Sequence, residues 1–256
     1  MIEFKNVKFT YGNHFLLSIE KLNINKGDIV SIIGPNGAGK STVIKILGGI
    51  LKHYTGNIYI DKKELNHYSV KELSKKISVV PQEFNTSFDY DLESIVSTSR
   101  IPFSKRISFF ESNHDKKIIE NALKTVGLLD YKSKPFSSLS GGEKQKVMIA
   151  RAIAQQTPIL LLDEFSSQLD PGYTQNLLKL VKSMVVKEKK TVISVFHDIN
   201  KAAIFSDKII IMKEGKVRYT GTPEQLFNES VMKEIFAMDA YVIIHPLKKV
   251  PQILFK

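Results

Sequence analysis

The feature that most restricts what this chain can become is the stretch Gly34 to Thr42 (GPNGAGKST), which follows the continuously apolar run IVSIIG and opens KSTVIKILGGI, where apolar residues recur at helical spacing. Residues Gly34 to Ser41 fit G-x-x-x-x-G-K-[ST]. Gly34, Gly37 and Gly39, with Pro35, Asn36 and Ala38 between them, let consecutive backbone N–H groups turn inward and make an anion-binding nest at a helix N-terminus. Side chains with a Cβ would keep the backbone from wrapping a phosphate so closely. Lys40 is placed to reach the β- and γ-phosphates of a nucleotide, and Ser41, beside Thr42, to offer its hydroxyl to Mg²⁺. Strand, glycine loop and helix in that order predict an α/β unit built to hold phosphate.

Two later segments supply partners for such a loop. In Ile159 to Glu164 (ILLLDE) an apolar strand delivers two acids to its C-terminal end, the edge where ligands bind in open parallel sheets. Asp163 would hold Mg²⁺ through its water shell, and Glu164 would orient an attacking water or accept its proton. A second strand-like run, TVISVFHD, follows a helical stretch from Tyr173 to Lys187; that is βαβ spacing and implies a parallel sheet. The third segment, Leu139 to Gln145 (LSGGEKQ), leads into the amphipathic run KVMIARAIAQ. Ser140, Gly141 and Gly142 thus form a second helix N-terminus suited to an anion. One copy with one phosphate loop has no evident internal use for it, so it is expected to meet the nucleotide of another copy.

The rest of the chain is consistent with a globular protein. Hydrophobic residues make up 43% and charged residues 25% of 256. No apolar run approaches the roughly 20 residues that cross a bilayer, the start has no secretory pattern, and without cysteine there is no disulfide or thiolate metal site. A net charge of +11, from 37 basic and 26 acidic residues, attracts anions of every kind, yet the lysines are scattered as on a solvated surface. IEFKNVKFTY and HFLLSIEKLNI read as a hairpin turning at Gly12-Asn13, GNIYI and ISVVPQ as further strands, and SDKIIIMKEGKVRYTG as a hairpin turning at Glu214-Gly215. From about Leu92 to Ala154 the patterns are helical, with a polar, loop-like interruption from Ser104 to Asp115. Thr222-Pro-Glu-Gln225 signals a helix start and opens a C-terminal extension over residues 222–256.

Taken together, these motifs resemble the nucleotide-binding subunit of ATP-binding-cassette (ABC) transporters over nearly the whole length. GPNGAGKST resembles the Walker A loop, ILLLDE the Walker B strand and LSGGEKQ the family signature; Gln82 in VVPQ resembles the Q-loop glutamine, Ser167 to Asp170 (SQLD) the D-loop, His197 in VFHD the switch histidine, and Tyr11 the adenine-stacking aromatic. The resemblance implies a single P-loop NTPase domain: a mostly parallel sheet, an N-terminal antiparallel β subdomain and an inserted helical subdomain at about 92–154. It implies ATP hydrolysis with Mg²⁺ held by Ser41, Gln82 and Asp163. Glu164, His197, Gln82 and Lys40 would act in the chemical step, while Tyr11, the loop from Gly34 to Thr42, Ser140, Gly141, Gly142 and Asp170 would contact nucleotide across a homodimer. The expected setting is the cytoplasmic face of a membrane, beneath a polytopic permease served by an extracytoplasmic binding protein, with no nucleic acid involved.

Two departures from the family pattern stand out: Phe165 follows Glu164 where proline is usual, which bears on the rate of hydrolysis more than on binding, and Lys144 and Lys146 replace glutamine or arginine. TSRIPF around Arg100 resembles a Gly-Arg-x-Pro segment of importers for iron-siderophore complexes, haem and cobalamin, with Ser99 in place of the glycine; Asp198, Asn200 and GTPEQLF point to the same group. EFNTSFDYDL, after Gln82, is the candidate surface for a permease. An ABC subunit for a different cargo and a soluble, nucleic-acid-associated ABC ATPase are the alternatives.

Overall fold

Alternating apolar and polar residues build the first two strands, β1 (Ile2–Tyr11) and β2 (Phe15–Ile24), which pair antiparallel with Phe4 opposite Leu22. The third, β3 (Ile29–Ile33), is apolar apart from Ser31 and buried at every position, as a strand covered on both faces must be. It leads through the glycine loop into α1 (Lys40–Leu47). The chain then returns to pair β4 (Thr55–Ile60) with β1 and adds the two-residue β5 (Lys63–Glu64). A short helix, α2 (Val70–Ser74), starts at a capping box in which Ser69 and Glu72 satisfy each other's backbone N–H, and β6 (Ile77–Val80) follows.

The computed structural model describes residues 1–12, 15–84, 88–104, 112–166 and 169–256. In the helical region, α3 (Leu92–Ser97) runs into a 3₁₀ segment, Thr98–Phe103, before α4 (Asn113–Thr125) and α5 (Gly141–Ala154). Ser112 caps α4 by accepting from the Asp115 N–H at 3.1 Å, so the end of the polar interruption is a helix start and not loop. Its middle, residues 105–111, lies outside the described residues, as does Asn13 of the first predicted turn.

Strands and helices then alternate: β7 (Ile159–Asp163), α6 (Pro171–Glu188), β8 (Thr191–Val195), α7 (Ile199–Phe205), and the hairpin of β9 (Lys208–Lys213) and β10 (Lys216–Gly221). That hairpin turns on Glu214 and Gly215, both at positive φ (52° and 71°), the geometry that matches strand twist. The Thr222 capping box opens only a single turn, α8 (Pro223–Leu226); Asn228 then caps α9 (Glu229–Phe236), and β11 (Ala240–Ile244) pairs with β12 (Pro251–Phe255) as a separate hairpin.

Ten strands form one sheet in the order β5-β4-β1-β2-β10-β9-β3-β8-β7-β6. From β9 to β6 the ladders are all parallel, and the antiparallel strands join them where Lys216 of β10 meets Ser18 of β2. The N-terminal antiparallel strands are thus fused to the parallel sheet. On one side α1 is enclosed: its Val43, Ile44, Ile46 and Leu47 pack with Phe4, Leu17 and Ile58 and also with Leu161 and Val195. On the other side Leu160, Leu162 and Val192 share a core with Val147 of α5, Leu177 of α6, and Leu92 and Leu123 of the helical region. The helices of residues 92–154 therefore bury their apolar faces in the same core as the sheet. Among the described residues no helix is long and apolar enough to cross a membrane.

Candidate functional site

The phosphate loop leaves β3 through a bend that only glycine accepts. Gly34 has φ 152°, and a Cβ there would lie 2.0 Å from the carbonyl oxygen of Met212 in neighbouring β9. Gly39, the N-cap of α1, is left-handed at φ 94°, which aims the first helical N–H groups into the loop. Lys40 folds back over it, its Nζ donating to the carbonyls of Gly34 (2.9 Å) and Pro35 (3.0 Å). Burial pushes the Lys40 pKa down, against the pull of the Glu164 and Asp163 carboxylates.

The two acids at the end of β7 take different partners. Asp163 accepts from Ser41 Oγ at 2.8 Å, which ties the strand end to α1. Burial raises the Asp163 pKa; the Ser41 hydroxyl opposes the rise and the nearby Glu164 charge adds to it. Glu164 sits at φ 48°, uncommon for a residue with a side chain, and is nearly buried. Its Oε2 accepts from Gln82 Nε2 at 2.5 Å, just past the end of β6, and its Oε1 lies 2.7 Å from His197 Nε2, just past the end of β8. One carboxylate thus spans the C-terminal ends of three neighbouring parallel strands, where ligands bind in such sheets.

These residues line a cleft of about 530 Å³, bounded by Asn36 to Thr42 of the loop, Gln82, Glu164, His197 and Tyr11. Tyr11 reaches it from the end of β1; the residue is 45% exposed, and its ring is in edge contact with Phe9 at 4.7 Å. The volume suits a small-molecule ligand. Predicted residues from five separate stretches of the chain therefore converge.

Others do not. Ser140, Gly141 and Gly142 begin α5 and do not line this cleft; Ser140 forms a capping box with Glu143. Asp170 caps α6, accepting from the Tyr173 N–H at 2.8 Å; Ser167 and Gln168 of the SQLD segment lie outside the described residues. EFNTSFDYDL divides: Phe84 packs on Phe136, Phe88 and Tyr90 are exposed, and residues 85–87 are outside the described residues. Arg100 of TSRIPF is buried, with Nε on Asp115 at 2.8 Å and a guanidinium N–H on the carbonyl of Ala154 at 2.9 Å, where it fastens the C-terminus of α5.

Sequence reasoning missed two contacts beside the cleft. Gln145 of α5 donates to the carbonyl of Pro81, next to Gln82, at 3.3 Å. Phe196, which precedes His197, meets Phe165, which follows Glu164, in edge contact. The signals were present, a glutamine inside LSGGEKQ and an aromatic inside VFHD, but sequence does not say what either touches.

The sequence matches the ABC transporter family over residues 17–167. The chain belongs to that family. Among curated ABC proteins, it is 38% identical over 239 residues to the petrobactin import ATP-binding protein YclP of Bacillus subtilis, covering 93% of each chain. It is 33% identical to the iron(3+)-hydroxamate import ATP-binding protein FhuC of the same organism, over 94% of this chain and 89% of that one. It spans 56% of the length of another B. subtilis relative, the ABC transporter ATP-binding protein YvrA. Among solved structures, an inward-facing ABC transporter described as of metal-chelate type superposes with a TM-score of 0.83 at 27% identity, covering 100% of this chain and 98% of that one. A dimeric, post-hydrolysis ATP-binding cassette bound to ADP and phosphate superposes with a TM-score of 0.76 at 32% identity, over 87% and 98%. This ABC protein is an ATPase with the α/β architecture expected of its family.

Proposed function

We propose that the chain is the ATP-hydrolysing subunit of an importer for a metal chelate of the iron-siderophore, haem or cobalamin type, acting at the cytoplasmic face of a membrane beneath a polytopic permease. The observation that carries the catalytic part is the single carboxylate of Glu164 held between Gln82 and His197 at the mouth of the phosphate loop. In this reading the adenine stacks on Tyr11 and the phosphates lie in the nest of Gly34 to Thr42. Lys40 exchanges its two loop carbonyls for the β- and γ-phosphates.

The oxygen donors fit Mg²⁺, which takes one or two carboxylates together with substrate phosphates and water. Ser41 and Asp163 are already within hydrogen-bond distance of each other, and Gln82, whose amide N–H₂ is on Glu164, would meet the cation through its oxygen. Held by Ser41, Asp163 and Gln82, a Mg²⁺ ion would supply charge neutralisation for the nucleotide phosphates. Glu164 orients the attacking water and takes its proton. His197 steadies that carboxylate and contacts the γ-phosphate.

Ser140, Gly141 and Gly142, which do not line their own cleft, complete the nucleotide site of a second copy, with Asp170 at the same boundary. ATP then joins two copies, and loss of the γ-phosphate releases them, a switch of the phosphate-ordered type. The assignment of residues 92–154 as a helical subdomain and 222–256 as a C-terminal extension belongs to this reading. So do the exposed rings of Phe88 and Tyr90, 6.1 Å apart, as part of the permease contact.

The cargo assignment draws support from relatives named for petrobactin and iron-hydroxamate import. An extracytoplasmic binding protein would deliver the chelate to the permease.

The central test is Glu164→Gln: ATP binding should persist while hydrolysis slows about 100-fold or more. Unchanged turnover removes Glu164 from the role. Co-purification from membranes tests the setting, with a polytopic partner expected. Salt-sensitive retention of nucleic acid without such a partner overturns the transport reading.

A further inference from the structure

Glu164 and His197 are brought together by residues at the ends of β7 and β8, and those residues are flanked by two aromatic rings facing the opposite way. Asp163 and Val195 are paired across the ladder, so the chain leaves both strands at the same level. The next residues outward include Glu164 and Phe165 on one side, Phe196 and His197 on the other. The ring centroids of Phe165 and Phe196 are 5.6 Å apart at 71°, an edge-to-face contact, while the Glu164 and His197 side chains meet at 2.7 Å on the cleft side. Phe196 in turn meets Phe205 of α7 at 5.5 Å and 66°. Phe165 is 1% exposed and Phe196 3%. With Ile149 of α5 and Leu177 of α6, Phe165 lines an apolar cavity of only about 10 Å³, so little empty space lies beside the ring.

We propose that Phe165 and Phe196 are positioning residues for hydrolysis, their ring contact holding the backbones on which Glu164 and His197 stand so that the carboxylate is aimed at the attacking water. This rests on the proposed roles of Glu164 and His197. It also gives a physical meaning to the departure from proline at position 165. Glu164 is held at φ 48°, a conformation that persists only where its surroundings over-determine it. A ring locked between α5, α6 and Phe196 supplies that constraint from the side chain, where proline would supply it from the backbone. Simple core packing would need a large apolar residue at each position but no contact between the two.

The test uses the purified chain with ATP and Mg²⁺, comparing wild type with Phe165→Met, Phe196→Met and the double variant, each also in a Glu164→Gln background. Methionine keeps apolar volume and removes the flat ring. Turnover, KM for ATP, affinity for a fluorescent ATP analogue and the melting temperature are measured for each. Expected is a fall in kcat of roughly tenfold or more, with KM and nucleotide affinity within about twofold of wild type. The double variant should be no slower than the slower single variant, and neither methionine should reduce the residual turnover of Glu164→Gln further.

Unchanged kcat in folded variants overturns the proposal. So does a fall that is matched by lost affinity, or one of equal size in the Glu164→Gln background. If a methionine variant does not fold, leucine at the same position is read by the same criteria. Unchanged turnover in Glu164→Gln alone overturns the underlying catalytic reading whatever the phenylalanine variants do, so the two failures are distinct.

Discussion

Gly34 concentrates the cost of building the phosphate loop in one residue. Its φ of 152° and the 2.0 Å that would separate a Cβ from the Met212 carbonyl mean that Gly34→Ala must displace either β3 or β9. The expected loss is about 3 kcal/mol or more, as for other substitutions at backbone positions with no room, read as a lower melting temperature together with weaker ATP binding. A variant as stable as wild type would show that the bend relaxes freely. A second residue-scale expectation concerns Glu72. Its carboxylate is held at about 2, below the ordinary 4.5, first by the Ser69 N–H and then by Lys63. A folded value below the unfolded one adds stability that is complete above about 4.5 and is lost as pH falls toward 2. Glu72→Gln should therefore lower the melting temperature at neutral pH and narrow its gap from wild type in acid; a gap independent of pH would refute the assignment.

At the scale of elements, the C-terminal hairpin is fastened to the helix that follows His197. Asn200 of α7 donates to the Ile253 carbonyl at 2.9 Å and accepts from the Ile253 N–H at 2.7 Å, so its amide mimics a strand neighbour for β12. Asn200→Ala should raise hydrogen–deuterium exchange in β11 and β12 and cost about 1–3 kcal/mol, since the Ile253 groups lose their partner. Unaltered exchange there would mean that the hairpin is held by apolar packing alone. The elements also show where sequence reading succeeds and stops. The phosphate loop, the Glu214-Gly215 turn and the helix starts at Ser140 and Thr222 were legible because their chemistry is local. So were β1 to β4 and β6 to β10, from their apolar pattern, whereas β5 and the β11–β12 hairpin were not read. The left-handed backbone of Glu164, the Phe165–Phe196 contact and the Gln145 bond to Pro81 were not legible, because each depends on a neighbour supplied by another strand or helix. The signature residues could be located in sequence, yet only the structure shows that they do not line the cleft of their own chain.

In the proposed arrangement the whole molecule carries two half-sites that face different nucleotides. A Glu164→Gln protein, which should keep ATP intact, is therefore expected to roughly double its mass in light scattering when ATP is added, and to return to the single chain when ATP is removed. A chain that stays single at saturating ATP would refute the paired arrangement. Such pairing must also overcome like charge, because each copy carries a net +11; moderate salt should favour it by screening. The order of strands has a further consequence, for the time at which the site comes into being during synthesis. β3, which launches the phosphate loop, has only β9 and β8 as neighbours in the sheet. Its first β8 partner, Val192, and its last β9 partner, Ile211, are made long after Ile29 to Ile33. The loop emerges from the ribosome early but has no bed to lie in until residues 191–213 have joined it. From residue 42 until residues 191–213 are made, the nascent chain therefore carries the complete GPNGAGKST sequence without the two strands that flank β3 in the folded sheet.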